Sequence, residues 1–180
     1  MGTYGGLFAF LAGSSFVLIQ MLGMTRTRYG LAMLTTAFCY FAGTFLCRWM
    51  LARIGLRRTL AIAGGMSLAG GTLMATLALA GVASVWAIVP PFCLYMLAHG
   101  IHQPCGQSGV TGPFPHAAGT ASALNGCLMM LTAFAIGAWM GQAPGGTARP
   151  MAYAVWLCAV CVAICAWTLV PRYGEPRSAD

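Results

Sequence analysis

Residues 151–170 read MAYAVWLCAVCVAICAWTLV, with no charged side chain, no proline and no glycine. The run is as long and as apolar as a bilayer-crossing helix, which needs about 20 mostly apolar residues. Five more stretches read the same way, at 4–23, 29–51, 60–80, 84–103 and 117–141. Arg48 shortens the second, whose membrane part ends at about 47. Short connections join them, so neighbouring spans should be antiparallel. The expected fold is all-α and integral to the membrane, with a six-transmembrane-helix domain over 4–170 and a cytoplasmic tail over 171–180.

Composition agrees with that class. Of 180 residues, 59% are hydrophobic and 6% are charged, against about 25% charged in a soluble domain. Lipid solvates the apolar surface that water would not. All basic residues are Arg, and the acids Glu175 and Asp180 both lie in the tail. The net charge of +7 does not point to nucleic acid, because no basic, aromatic-interleaved soluble surface exists to bind it. Arg48, Arg53, Arg57, Arg58, Arg172 and Arg177 fall on one side, and Arg26, Arg28 and Arg149 on the other. The excess marks the cytoplasmic face, and both termini are then cytoplasmic. No basic region precedes the first apolar run, so a cleavable signal is not expected.

Several polar side chains stand out inside this apolar chain. Tyr95, His99 and His102 recur at i, i+4 and i+7, one face of a helix, with Gln103 and Cys105 close behind. Ionisable groups in a membrane usually face a bundle interior or a watery cavity. Two readings stay open: a polar lining for a translocation path, or two His near an interface bonded to their neighbours. Asn125 is a single amide in a small, apolar stretch and should seek an interhelical hydrogen bond. Phe8, Phe10 and Tyr40 could contact an apolar substrate or simply pack. Of the eight Cys, all but Cys47 and Cys105 sit well inside apolar runs, where Cys acts as a small hydrophobe. Cys158, Cys161 and Cys165 share a helix face, but a metal site would want a fourth ligand. Small residues recur as Gly64-Gly65, Gly70-Gly71, Gly119 with Ala123, and Gly137 with Gly141; such residues let helices pack closely in lipid. No nucleotide loop or zinc-protease motif is present, and the six spans hold no acid for paired-carboxylate chemistry. No cofactor or metal is expected.

The run Pro113-Phe114-Pro115-His116-Ala117-Ala118-Gly119-Thr120-Ala121-Ser122-Ala123 is similar to the segment entering the eleventh helix of bicyclomycin- and chloramphenicol-resistance (Bcr/CflA-type) transporters of the major facilitator superfamily. The stretch from Leu51 to Arg58, with Arg53, Gly55, Arg57 and Arg58, resembles the superfamily's basic loop between helices eight and nine. The stretch from Ala9 to Val17 resembles helix seven. Ala52 stands where the fuller loop motif has an acid, and Ser15 where a proline is usual. The resemblance runs from about Tyr4 to Val170. It implies helices seven to twelve, one half of the major facilitator fold, in a proton-coupled multidrug exporter of the cell inner membrane.

In that reading the partners are the lipid bilayer, a drug-like small molecule and the proton. A separate N-terminal six-helix half, or a second copy of the chain, would complete the path, which lies between halves near the midplane. Tyr95, His99, His102 and Asn125 are the candidates for the substrate and proton path, and the basic loop would gate or anchor the cytoplasmic side. The alternatives are a truncated, non-transporting membrane fragment and a His-based membrane metalloenzyme using His99, His102 and His116; the latter lacks a carboxylate to complete its site.

Overall fold

A computed structural model describes residues 2–142 and 147–173, and every regular element among them is helical. Helix α1 spans Gly2–Ser15 and continues as a π-helical turn over Phe16–Met21. Helix α2 spans Arg26–Leu79, α3 Val85–Thr111, α4 Ala118–Gln142 and α5 Arg149–Ile164. A second π turn, Cys165–Leu169, leads from α5 into the short α6, Val170–Tyr173. Residues 174–180 of the expected tail lie outside the described residues. The protein is an all-helical membrane bundle.

Polar caps fix where two of these helices begin. The Thr25 hydroxyl accepts from the Arg28 N–H at 3.3 Å, and the Ser84 hydroxyl accepts from the Trp86 N–H at 3.3 Å. Each satisfies one of the N–H groups that a helix start leaves without a partner.

Helix α2 has 54 residues. Straight, it would reach about 80 Å, far beyond a hydrocarbon core of about 30 Å. Gly55 resolves the mismatch. Its φ of 74° and ψ of 173° are not helical, and they split α2 into two arms, 26–54 and 56–79. A side chain at positive φ is strained, whereas glycine adopts that region freely. Thr59, fully buried, ties the second arm to the turn by donating to the Gly55 carbonyl at 2.7 Å. Among the described residues five helices are long and apolar enough to cross a membrane, with α2 counted once, and the two arms of α2 overlap two separate apolar stretches of the sequence.

Helix α3 runs through the middle of the bundle, with Phe92, Tyr95, Ala98, His99 and Ile101 all buried. Its helix continues past the apolar stretch that ends at 103, to Thr111, with Pro90, Pro91 and Pro104 inside it. Apolarity marks what can sit in lipid, whereas hydrogen bonding decides where the helix stops. Prolines are tolerated in membrane helices, where neighbouring groups take up the freed carbonyls.

The first arm of α2 lies on α3 in parallel. Tyr40 meets His99, Gly43 meets Leu97 and Gly100, and Cys47 meets Ile101 and Cys105. A side chain added at Gly43 would collide with the Leu97 carbonyl oxygen, and one added at Gly100 with the Tyr40 carbonyl oxygen. The second arm packs on α3 and on α5. There the Trp156 indole donates to Thr72 Oγ1 at 3.2 Å, and the Trp167 indole to the Ala61 carbonyl at 3.1 Å. Helix α1 lies against α5, α4 and α3. Helix α4 is the least covered: Met129 is its one buried residue.

The crossing at Gly43 and Gly100 makes a direct prediction. Gly43→Ala should push α2 off α3 and cost about 1–3 kcal/mol, the usual size of overpacking. Gly30→Ala, where an added methyl meets nothing within 4 Å, should be neutral or slightly stabilising. Thermal unfolding of the two variants in detergent, followed by circular dichroism, checks the difference.

Candidate functional site

Four helices bring polar and aromatic side chains together on one side of α3. Tyr4 of α1 sets its ring edge-on to His99, with ring centres 4.9 Å apart, and Tyr40 of α2 approaches the same imidazole at 5.4 Å. Phe8 stacks beside Tyr4 at 6.2 Å. One turn beyond His99, Gln103 donates to the Tyr4 hydroxyl at 2.8 Å. One turn further, Gln107 accepts from the Asn125 amide of α4 at 3.1 Å, and that amide also reaches the Met129 sulfur at 3.3 Å. His99, Gln103 and Gln107 stand at i, i+4 and i+8 and so share a face of α3. The polar line in the structure therefore runs through the two glutamines.

The other sequence candidates take different places. Tyr95 is fully buried and donates to the Thr3 carbonyl at 3.1 Å, tying α1 to α3. Its neighbour Phe92 stacks on Phe10 with ring centres 3.5 Å apart. Phe10 is fully buried in that stack, so it packs the core and offers no surface to a substrate. Tyr4, Phe8 and Tyr40 are only half-buried. His99 is 2% exposed, and its Nδ1 has no hydrogen-bond partner among the described residues. The tyrosine rings shield it, so it supports the polar face from below.

His102 points to a different space. With Cys105 it borders a cavity of about 980 Å³, which also touches Gly2, Leu56, Leu60, Cys161 and Cys165. The cavity lies within the chain, between the start of α1, the second arm of α2, the end of α3 and the α5–π segment.

The basic segment forms the turn at Gly55. Arg53 lies over the Trp49 ring at 5.3 Å from its centre, a cation–π contact, and Arg57 and Arg58 are exposed at the start of the second arm. Pro113 and Phe114 precede, and Pro115 and His116 begin, the 3-10 turn Pro115–Ala117 that leads into α4, and all four are exposed. Gly119 and Ser122 are exposed on the first turns of α4. No group of three or more His, Cys, Asp or Glu is close enough to hold a metal among the described residues.

Sequence reasoning missed Tyr4 and Gln107. A tyrosine near the start of the first span reads as an interface residue, and Gln107 lies beyond the apolar stretch. The available signal for Gln107 was its spacing from His99 and Gln103.

Comparison with known proteins adds one relative. The chain is 24% identical over 179 residues to a bicyclomycin resistance protein homolog of Haemophilus influenzae. The alignment covers 97% of this chain and 44% of that protein, so the chain spans less than half of the relative's length. No family model matches the sequence, and no solved structure matches it.

The Gln107–Asn125 contact can be weighed directly. Interhelical hydrogen bonds in membranes average about 0.6 kcal/mol and reach about 1.7. A double-mutant cycle of Gln107→Leu and Asn125→Leu should return a coupling in that range, measured by unfolding in bicelles. A coupling of zero would show that the pair contributes nothing to holding α4 on α3.

Proposed function

We propose that this chain is the half equivalent to helices seven to twelve of a proton-coupled exporter of drug-like small molecules. It sits in the cell inner membrane with both ends in the cytoplasm. The observation that carries the reading is the bare state of α4. Gly119, Gly126, Gly137 and Gly141 each have no atom within 4 Å of where a side chain would begin. Small residues at such spacing let helix backbones meet in lipid, yet none of them meets another helix among the described residues. Large apolar residues at Phe38, Phe41, Phe45 and Trp49 of α2 are likewise more than half exposed. A second six-helix body would cover these faces, and the Haemophilus relative, which is more than twice as long, has the length for one.

The polar face supplies the substrate side. Tyr4, Phe8 and Tyr40 offer aromatic surface, which attracts organic cations through the negative faces of the rings. Gln103, Gln107 and Asn125 offer amides for orientation. Polar groups at membrane depth favour a protein or water contact over lipid. His99 and His102 are the candidate proton carriers of this half, because the spans hold no carboxylate. A carboxylate for coupling would come from the other half, so a separate first half fits better than a second copy. The Gly55 turn with Arg53, Arg57 and Arg58 would hold the cytoplasmic side.

The test uses the purified chain with ethidium. It should bind ethidium in detergent, and Asn125→Leu should weaken binding by up to about tenfold, the size of one hydrogen bond. Reconstituted alone in vesicles, the chain should not export ethidium under an imposed pH gradient. Gradient-driven export by the chain alone would overturn the half-transporter reading in favour of a self-sufficient assembly. Absence of ethidium binding by folded protein would overturn the substrate face.

A further inference from the structure

Cys47 and Cys105 place their sulfurs 3.5 Å apart, across the contact between α2 and α3. Both are buried, and Cys47 also lies 3.5 Å from the Ile101 carbonyl oxygen. The cluster around them contains Met50, buried, and Met66, partly buried, with the remaining members aliphatic: Ala63, Ile101, Leu46, Ile54, Leu56 and Leu60. His102, Thr3 and Ser108 line the neighbouring cavity beside Cys105, so the sulfurs are the soft donors of a mixed surrounding. Leu56, Leu60 and Cys105 also form part of the wall of the 980 Å³ cavity, so the pair has an approach from outside.

We infer that Cys47 and Cys105 form a binding site for a soft monovalent cation of the Cu(I) class, with Met50 and Met66 as thioether neighbours. Thiolate and thioether sulfur select Cu(I) among biological metals, while Mg²⁺ and Ca²⁺ prefer several oxygen ligands to a pair of thiols. Two thiols on facing helices suit the low coordination number of a d10 monovalent ion. Burial of both sulfurs sets the charge balance. An ion entering as M⁺ displaces one thiol proton: one cysteine binds as thiolate, the other as neutral thiol, and one H⁺ leaves through the cavity. The product carries no net charge, which an apolar site requires because an unpaired buried charge is costly. No oxidation is involved.

A second cysteine pair, Cys39 and Cys93, also faces across the same two helices. It is not part of the sulfur-lined cluster and does not touch the cavity, so it serves as the control. The full chain, reduced and purified in detergent, is loaded with Cu(I) without oxygen and challenged with a bathocuproine chelator. The wild type should keep one Cu(I) per chain and release one proton per ion in weak buffer. Cys47→Ser and Cys105→Ser should each lower affinity by at least the roughly 10- to 100-fold typical of lost metal-site support. Cys39→Ser and Cys161→Ser should leave it unchanged. X-ray absorption on the wild type needs no variant and should show a sulfur-only first shell. Loss of all copper to the chelator, unchanged affinity in Cys105→Ser, or nitrogen in the first shell would overturn the site. Release of two protons per ion would overturn the neutral-complex chemistry.

Discussion

The contact between Gly43 and Gly100 sets the arrangement of the rest of the bundle. In lipid, helices gain little from burying apolar surface, because the acyl chains are as apolar as leucine; close backbone approach and hydrogen bonds hold them together instead. With no side chain on either residue, the first arm of α2 and α3 come near enough for backbone atoms to touch. Because the two run parallel, one crossing fixes a register on both sides of it. One turn before it, Tyr40 meets His99; one turn after it, Cys47 meets Cys105. The aromatic–polar face and the thiol pair both follow from that register.

Polar groups in this chain are sorted by how each is satisfied. Tyr95 ends on a backbone carbonyl of α1, Gln103 on the Tyr4 hydroxyl and Asn125 on Gln107. Each bond joins two helices, so an unsatisfied polar group and a loosened bundle are the same event, in a solvent that offers no replacement partner. His99 and His102 depart from this pattern, since Nδ1 of the first and Nε2 of the second have no partner among the described residues. Buried polar atoms left in this way are costly, and these two lie within one helix turn of α3.

Coverage is uneven. Helix α3 is enclosed, whereas α4 leaves its glycines bare and α2 presents Phe38, Phe41, Phe45 and Trp49 outward. Lipid can cover aromatic and aliphatic residues at no cost. Glycines spaced for helix contact gain nothing from lipid, which is why the proposed second helical body rests on α4 more than on the outward aromatics. The relative of more than twice this length has room for such a body.

Chain apolarity and span length determined the class of this protein by themselves, because only helices or closed barrels satisfy the backbone inside a bilayer, and continuous apolar runs of about 20 residues have the length of helices. The segment around Gly55 was legible only as a stretch resembling a basic loop between two apolar runs; the positive φ of Gly55 appears in the structure. The segment from Pro113 to Ser122 was legible as a motif, and the structure adds its exposure. The partners across helices were not legible. Tyr95 and His102 share a helical face with His99 by spacing, yet one closes onto α1 and the other borders a cavity, because a side chain's surroundings depend on which helix crosses there. Cys47 and Cys105 are separated by 58 positions, and no local pattern links them. Their meeting depends on the close approach of two glycines, which only the tertiary structure brings together.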